Sequence, residues 1–262
     1  GAEFALHHIC DEFGPQLWDR VPILYTCSAE PLIHAMSVDE TSTPGDAPMD
    51  DSVGQAILDA CTVVACIAPH VHAELHGSLV RLLDALVRIT QNEHMVLRSA
   101  GACCFSVLTK CITDKAMHVL VERIVPMLGD STLLHRQGAM EVISRTVRVQ
   151  DERLLPYVLF LVVPVLGRMN DSDESVRLLA TNTFAELVKL VPLIHGLPDP
   201  PNFSPALLAR REEEKAFLSQ LLDGSKVEPY KVPVEMKVQL RPYQQDGVSW
   251  MAFLARYQLH GI

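Results

Sequence analysis

The chain has 262 residues, of which 48% are hydrophobic and 6% aromatic, and its formal net charge at pH 7 is −10. Leu, Val and Ala dominate the apolar set, which excludes an intrinsically disordered chain and favours many small helix–helix contacts over an aromatic-rich β-sandwich. The charge argues against a nucleic-acid-binding surface, because duplex binding depends on Lys and Arg displacing counterions from phosphates. We therefore expect no direct nucleic-acid contact; a basic protein partner fits the acidity, as does plain solvated surface.

Targeting signals and cysteines indicate an intracellular compartment. No N-terminal basic-then-apolar signal is present, and no apolar run reaches the roughly 18 residues needed to span a bilayer, so we expect no membrane association. The seven cysteines lie mostly among apolar residues, where free Cys behaves as a small hydrophobe, and we expect them to be reduced. The chain opens on Gly1 without a Met, which we interpret as a fragment or a processed chain.

An internal repeat organises the first two thirds of the chain. The segments that begin near Gly1, Gly101 and Gly138 each read Gly-Ala and then a helical stretch. A second apolar stretch follows in each and ends in Val-Pro-x-Leu, at residues 21–24, 125–128 and 163–166. An Asn or Asp also recurs six residues before an Arg, in the pairs Asn92 with Arg98, Asp130 with Arg136, and Asp171 with Arg177.

The repeat predicts paired antiparallel helices that cannot close a core alone and must stack on their neighbours. The predicted units are 1–33, 52–90, 92–129, 130–169 and a final half unit 171–195. The unit 52–90 is the weakest match, since it lacks the Arg.

These spacings resemble those of HEAT repeats, in which the Asp and Arg of successive units form a ladder along the stack. The resemblance implies an all-α fold with a HEAT-repeat α-solenoid over residues 1–195. Arg98, Arg136 and Arg177 could instead contact a partner's acidic surface, but a ladder is favoured because Arg pairs with carboxylates in a fork-like geometry. One departure is that the recurring Pro lies in the second helix of a pair, where it should bend or stop the helix.

Two segments interrupt the helical pattern. Residues 37–52 carry five Asp or Glu, no basic residue and a Pro-Gly step, which predicts a solvated acidic loop. A tolerated insertion is favoured there over a docking tail for a basic partner. Residues 196–224 are predicted to be a linker and a bridging helix: a Pro-rich run ends the solenoid, and Ser204 caps a helix that begins at Pro205 and runs to Leu222, with Gly224 as its C-terminal stop.

The most specific stretch is residues 240–251, which read LRPYQQDGVSWM. The pattern predicts a helix that begins at Pro242, with Tyr243, Gly247, Trp250 and Leu254 on one face. The stretch resembles the opening motif of Swi/Snf-type superfamily-two DNA translocases, Leu-Arg-x-Tyr-Gln followed by Gly-Val-x-Trp. The resemblance implies that residues 225–262 are the truncated N-terminal edge of such an ATPase domain.

In that family the motif's Gln reads the adenine edge, because a side-chain amide offers a donor and an acceptor side by side. The resemblance therefore implies that Gln244 contacts adenine, with Arg241 and Tyr243 forming the surrounding nucleotide edge. No Gly-x-x-x-x-Gly-Lys-Ser/Thr loop and no acidic Mg²⁺-positioning motif occurs in the 262 residues. We assign no catalytic residue, expect no cofactor on this chain alone, and expect ATP and Mg²⁺ to bind in a longer parent protein.

HEAT repeats ahead of such an ATPase resemble the "modifier of transcription" family, which grips the TATA-binding protein with a HEAT solenoid and strips it from promoter DNA. The sequence of residues 253–262 also resembles that family. It implies a nuclear, DNA-dependent ATPase that regulates transcription, with the repeats of this chain as a lever between gripping region and motor. We expect a monomer that continues past Ile262 into the phosphate-binding loop, and an incomplete motor edge that is partly disordered or repacked from about Lys226.

A non-enzymatic HEAT adaptor is the alternative function. In that case the terminal helix would cap the stack, and Trp250 and Tyr243 would pack against the solenoid. The two hypotheses differ in whether Gln244 ever contacts a nucleotide.

A metal site is also conceivable, since Cys66, His70, His72, Glu74 and His76 lie close in sequence. No second ligand pair with finger-like spacing follows, so we predict no metal site. The adjacent cysteines at 103 and 104 do not form a Cys-x-x-Cys redox motif.

Overall fold

The computed structural model describes residues 1–37, 51–150, 152–194, 196–200, 203–234 and 239–256. Within these ranges the chain consists of α-helices and shorter helical segments with no strand, as the all-α prediction requires. The α-helices are α1 (Ala2–Phe13), α2 (Leu17–Arg20), α3 (Pro22–Ser37), α4 (Asp51–Ile67), α5 (His76–Val80), α6 (Leu82–Ile89), α7 (Met95–Cys111), α8 (Thr113–Val119), α9 (Val125–Met127), α10 (Leu133–Val149), α11 (Val158–Arg168), α12 (Glu174–Leu190), α13 (Pro205–Leu222) and α14 (Pro242–Arg256).

The contacts divide the chain into two compact units, Gly1–Phe203 and Ser204–Ile262. The boundary lies within the predicted linker 196–224, and it groups the predicted bridging helix with α14. Most of the predicted acidic loop, residues 38–50, lies outside the described residues.

The first unit is a stack of helices in two layers. In one layer α1, α4, α7, α10 and α12 each pack on the next. The other layer contains α3, α6, the segment from α8 to α9, and α11, and its helices also pack on the first layer: α3 on α4, α6 on α7, and α11 on α12. Each helix therefore buries apolar surface against several neighbours, which is the α-solenoid architecture that the repeat predicts.

Helix α4 illustrates why the chain is so apolar. The stretch Asp51–His70 is long and apolar enough to cross a membrane, judged by length and composition alone, so the prediction that no apolar run is long enough is wrong for this stretch. In the structure α4 contacts α1, α3 and α7, and its buried side chains are Ile57, Ala60, Cys61, Val64 and Ile67. Contact with neighbouring helices accounts for the apolar character of that face.

The repeated Gly-Ala pairs lie inside helices rather than ahead of them, so our reading of "Gly-Ala and then a helix" is wrong for two of the three cases. Gly101 lies within α7 and Gly138 within α10. A Cβ at Gly138 would lie 1.8 Å from the Thr90 carbonyl oxygen, and one at Gly101 would lie 2.8 Å from Ile89 Cγ2. Both glycines therefore allow a long helix to approach the end of α6 closely.

The repeated prolines have three different local effects. Pro22 begins α3. Pro126 follows a π-helical segment, Leu120–Ile124, whose wider turn fits the missing hydrogen bond and the ring of a proline. Pro164 lies within α11, which continues to Arg168. The predicted disruption is thus present at Pro126, whereas Pro164 neither stops nor divides its helix.

The second unit contains α13 and α14. Ser204 Oγ accepts a hydrogen bond from the Leu207 N–H at 3.3 Å, and Pro205 occupies the first helical position, which confirms the predicted start of α13. The helix ends at Leu222, and the cap residue is Asp223, whose carboxylate accepts the Ser225 N–H. The end at Leu222 is as predicted, and Gly224 follows the cap residue as the first residue of a short helical turn, Gly224–Lys226.

Candidate functional site

The first turn of α14 carries the three residues predicted for the nucleotide edge. Pro242 is the first residue of the helix, as predicted. Gln244 Oε1 accepts a hydrogen bond from the Arg241 backbone N–H at 3.0 Å, and the Arg241 carbonyl accepts the Gln244 N–H at 2.9 Å. A side chain at the third helical position that reaches back to the preceding N–H is one half of a capping box. The structure therefore brings Arg241 and Gln244 together at the start of the helix.

Tyr243 lies between these two residues in sequence, and its side chain is 64% exposed. Arg241 and Gln244 are also exposed. An exposed aromatic ring and an exposed amide can meet a planar ligand by stacking and by hydrogen bonding. A bidentate contact between Gln244 and an adenine edge would require Oε1 to give up the Arg241 N–H.

The buried residues of α14 lie outside the set Tyr243, Gly247, Trp250 and Leu254 that the sequence places on one face. Tyr243 and Gly247 are exposed, whereas Ser249 and Phe253 are buried. Trp250 is half-buried.

Contacts with Tyr230 help to determine which face of α14 is buried. Ser249 Oγ accepts the Tyr230 N–H at 3.0 Å, and Gln245 Nε2 donates to the Tyr230 carbonyl at 2.9 Å. The Phe253 ring stacks on Phe217 of α13, with centroids 5.5 Å apart. Pairing of backbone groups, together with one aromatic stack, therefore selects the face that α14 buries.

A cleft of about 410 Å³ lies between residues 227–231 and α14. Its lining includes Tyr230, Ser249, Phe253 and Arg256. Arg241, Tyr243 and Gln244 do not line it. The predicted nucleotide-edge residues thus occupy the first turn of α14, apart from this cleft.

The recurring Arg residues of the first unit bind the loop that precedes their own helix. In each case Nη1 donates to the carbonyls five and six residues earlier, at 2.8–3.0 Å, and the acceptors are Asn92 and Glu93 for Arg98, Asp130 and Ser131 for Arg136, and Asp171 and Ser172 for Arg177. The Asn or Asp side chain accepts the backbone N–H two residues later, at 2.8–3.0 Å. The six-residue spacing therefore encodes a loop whose backbone groups are paired.

Among the described residues, one Arg–carboxylate pair joins the repeated Arg and Asp positions of successive units. Arg136 Nε and Nη2 donate to the two Asp171 carboxylate oxygens at 2.9 and 3.2 Å, and this pair is buried. Burial opposes ionisation of Asp171, but hydrogen bonds from Arg136 and the Asp173 N–H, with the Arg136 and Arg168 charges, outweigh it and lower its pKa. Arg98 Nη2 donates instead to Gln137 Oε1 at 3.0 Å, so the predicted ladder is confirmed at Asp171 but does not reach Asp130.

Phe203 is a contact residue that sequence reasoning missed. Its ring centroid lies 5.4 Å from that of His118, 5.7 Å from that of Tyr157 and 5.1 Å from that of Phe160. Burial and the nearby Asp114 raise the pKa of the Tyr157 phenol. His118 lies in the predicted repeat 92–129, and Tyr157 and Phe160 lie in the predicted repeat 130–169. Phe203, the last residue of the compact unit Gly1–Phe203, therefore packs against two successive repeats. The sequence signal was an aromatic residue within an otherwise Pro-rich connector.

Two of the histidines considered for zinc, His72 and His76, have local contacts. His72 Nδ1 accepts the Glu74 N–H at 3.3 Å, and His76 Nε2 lies 3.3 Å from the Val71 carbonyl oxygen. The Cys66 Sγ instead lies 3.6 Å from Nε2 of His7, which is 59 residues away in sequence. Local spacing could not have found that neighbour.

Comparison with known proteins assigns the chain to a family. Residues 58–194 match the family described as "Stalled ribosome sensor GCN1-like, HEAT repeats". The whole chain is 46% identical to "TATA-binding protein-associated factor mot1" of Aspergillus fumigatus and 40% identical to "TATA-binding protein-associated factor 172" of Homo sapiens. It is 37% identical to "TATA-binding protein-associated factor MOT1" of Saccharomyces cerevisiae.

The chain spans 14% of the length of each of these relatives. The identity nevertheless extends over 100% of this chain, through the second unit as well as the repeats. The chain therefore belongs to the HEAT-repeat family and is, along its whole length, a relative of the TATA-binding-protein-associated factors.

Proposed function

We propose that this chain is part of a nuclear transcription regulator that uses ATP to remove the TATA-binding protein from promoter DNA. Within that regulator, this chain is the segment that joins the HEAT solenoid to the first helix of a Swi/Snf-type ATPase. The observation that carries it is the identity of 37–46% over the whole chain to proteins named as TATA-binding-protein-associated factors in fungi and human.

In this proposal the first unit is a stiff connecting element. Buried hydrogen-bonded contacts between successive repeats, such as Arg136 with Asp171, resist bending of the stack. A net charge of −10 suits contact with proteins better than with the DNA backbone, so promoter DNA is assigned to other parts of the longer, monomeric protein.

The first turn of α14 is the adenine side of the nucleotide site. Gln244 would exchange its capping bond to Arg241 for the adenine edge, with Tyr243 exposed beside it. The phosphates of ATP and the Mg²⁺ ion would be held by a Gly-Lys-Thr loop in the longer protein, because these 262 residues contain no such loop. Arg241, Tyr243 and Gln244 therefore bind nucleotide and carry no catalytic step.

Replacing Gln244 with Ala in the longer protein tests this assignment. We expect the KM for ATP in DNA-stimulated hydrolysis to rise at least about tenfold, because a bidentate amide contact to a base is worth about 1–3 kcal/mol. Gln245→Ala is the matched control: Gln245 follows Gln244 on the same helix, but its amide donates to the Tyr230 carbonyl outside the helix, so the variant should leave the KM unchanged. An equal KM in both variants and the wild type would contradict the nucleotide role.

The non-enzymatic adaptor is the second candidate, and the capping bond of Gln244 to Arg241 favours it. That bond gives the residue a structural role that needs no nucleotide. In an adaptor, Gln244→Ala would destabilise α14 by about 0.5–2 kcal/mol, and no activity would depend on ATP. Measuring helix stability and KM on the same variant separates the two functions.

A further inference from the structure

Three metal-ligating side chains of different chemistry meet where α1 packs on α4. Glu3 and His7 lie one turn apart on α1, and Cys66 lies in the last turn of α4. Their ligand atoms all lie within 4.8 Å of one another. His7 Nε2 is 3.6 Å from Cys66 Sγ and 3.9 Å from Glu3 Oε1.

These distances match the geometry that a zinc-like ion requires. Zn²⁺ binds sulfur at about 2.3 Å, imidazole nitrogen at about 2.0–2.1 Å and carboxylate oxygen at about 2.0–2.2 Å, in tetrahedral geometry. Two such ligands are then separated by about 3.4–3.6 Å. The nitrogen–sulfur separation already has this value, and the nitrogen–oxygen separation needs only a small movement of the exposed Glu3 side chain.

We propose that Glu3, His7 and Cys66 form a binding site for a divalent transition-metal ion of the zinc class, with water in the fourth position. Nitrogen, sulfur and oxygen donors from three side chains are a combination that Zn²⁺ accepts. A bound ion would join α1 to the end of α4 and so fasten one repeat to the next. The role is structural and does not depend on the ATPase proposed above.

Without a metal, the same groups have a second arrangement available. His7 Nε2 lies 3.2 Å from the Cys66 carbonyl oxygen, so a protonated Nε2 donates to this carbonyl in the last turn of α4. Metal binding requires the other neutral tautomer, with the ring proton on Nδ1 and the Nε2 lone pair on the ion. The Cys66 thiol gives up its proton to solvent as the metal–sulfur bond forms, while the oxidation state of the ion does not change.

Neighbouring groups hold the site in place. The His70 ring stacks on the His7 ring with centroids 3.8 Å apart, and His70 Nδ1 lies 3.7 Å from Asp11 Oδ1. The carboxylates of Glu3 and Asp11 favour a cation nearby. Metal binding displaces the thiol proton of Cys66, so affinity should increase with pH.

Titration of the purified 262-residue chain with Co²⁺ under phosphine reductant tests the proposal. We expect one saturable equivalent with micromolar or tighter affinity, an absorption band from thiolate-to-cobalt charge transfer, and displacement of Co²⁺ by Zn²⁺. Cys66→Ser should abolish the charge-transfer band, and Glu3→Gln should weaken binding by at least about tenfold. Glu3 is 77% exposed in its side chain, so this second variant leaves the fold intact.

Cys27→Ser is the matched control, because Cys27 is an exposed free thiol elsewhere on the chain. It should keep both the band and the affinity of the wild type. The proposal is overturned if Cys66→Ser retains the band, if Glu3→Gln binds as tightly as the wild type, or if the wild type shows only unsaturable, millimolar binding.

Discussion

The two units of the chain differ in how much of each helix they bury. In Gly1–Phe203 the central helices α7 and α10 each have nine buried residues, because each contacts several neighbours. In the described part of Ser204–Ile262 the buried residues are Arg211, Phe217, Leu218, Ser249 and Phe253. Since a repeat stack gains stability from each interface between neighbours, a defect in the first unit should cost far more than one in the second.

The largest expected effect is at the buried charge pair of the first unit. Asp171→Ala leaves the Arg136 guanidinium, whose side chain is 10% exposed, without its carboxylate partner. Removing one member of a buried ion pair costs about 3–5 kcal/mol in the free energy of unfolding, which chemical denaturation measures.

The exposed pair of Arg123 with Asp84 provides the control for this prediction. Asp84→Ala should cost about 0–1 kcal/mol, as is usual for surface pairs. Equal losses in the two variants would show that burial does not distinguish the pairs.

A slightly smaller loss is expected where helices approach most closely. Gly138→Ala places a Cβ 1.8 Å from the Thr90 carbonyl oxygen, and backbone must move to relieve the clash. We expect destabilisation by about 3 kcal/mol, at the upper end of typical overpacking. Gly167→Ala in α11 has open space around the added methyl group and should be neutral or stabilising by about 0.5–1 kcal/mol. Thermal denaturation of the two variants would reveal whether the repeated Gly is a packing requirement.

The contact at the end of the first unit should have an intermediate effect. Phe203→Ala removes one ring from the cluster with His118, Tyr157 and Phe160. Phe203 is half-buried, so we expect a loss of about 1–3 kcal/mol, less than for a fully buried Phe. Phe4→Ala changes an exposed ring and should leave stability within about 0.5 kcal/mol. A neutral Phe203→Ala would mean that the aromatic cluster does not stabilise the unit.

The smallest predicted effect is a pH dependence from Asp171. Its pKa is lower in the folded chain than the ordinary value of 3.8, so the unfolded carboxylate binds a proton first as the pH falls. The stabilisation is present above about pH 4 and is lost as the pH falls through the folded pKa. Acid titration of unfolding should show a steeper loss in the wild type than in Asp171→Asn, and identical slopes would exclude this contribution.

Sequence patterns predicted the features that repeat locally. The six-residue spacing of Asp130 and Arg136 correctly indicated a recurrent structural role, because the Arg binds backbone carbonyls of its own loop. The start of α13 at Pro205 followed from a serine cap and a proline. Both depend on interactions over a few residues, which sequence displays directly.

Features that depend on distant contacts were not predictable in the same way. The burial of Ser249 results from the Tyr230 backbone, and the role of Gly138 from the Thr90 carbonyl. The proximity of His7 to Cys66 depends on α1 packing on α4. The spacing of such residues along the chain does not indicate which of them will be in contact in the folded structure.

We propose that the longer protein containing this chain removes the TATA-binding protein from promoter DNA at the expense of ATP. The most direct measurement is the lifetime of fluorescently labelled TATA-binding protein on a promoter duplex, with that protein present and with or without ATP and Mg²⁺. We predict a lifetime at least about tenfold shorter with ATP than with a non-hydrolysable analogue. Equal lifetimes with ATP, with the analogue and without nucleotide would contradict the account.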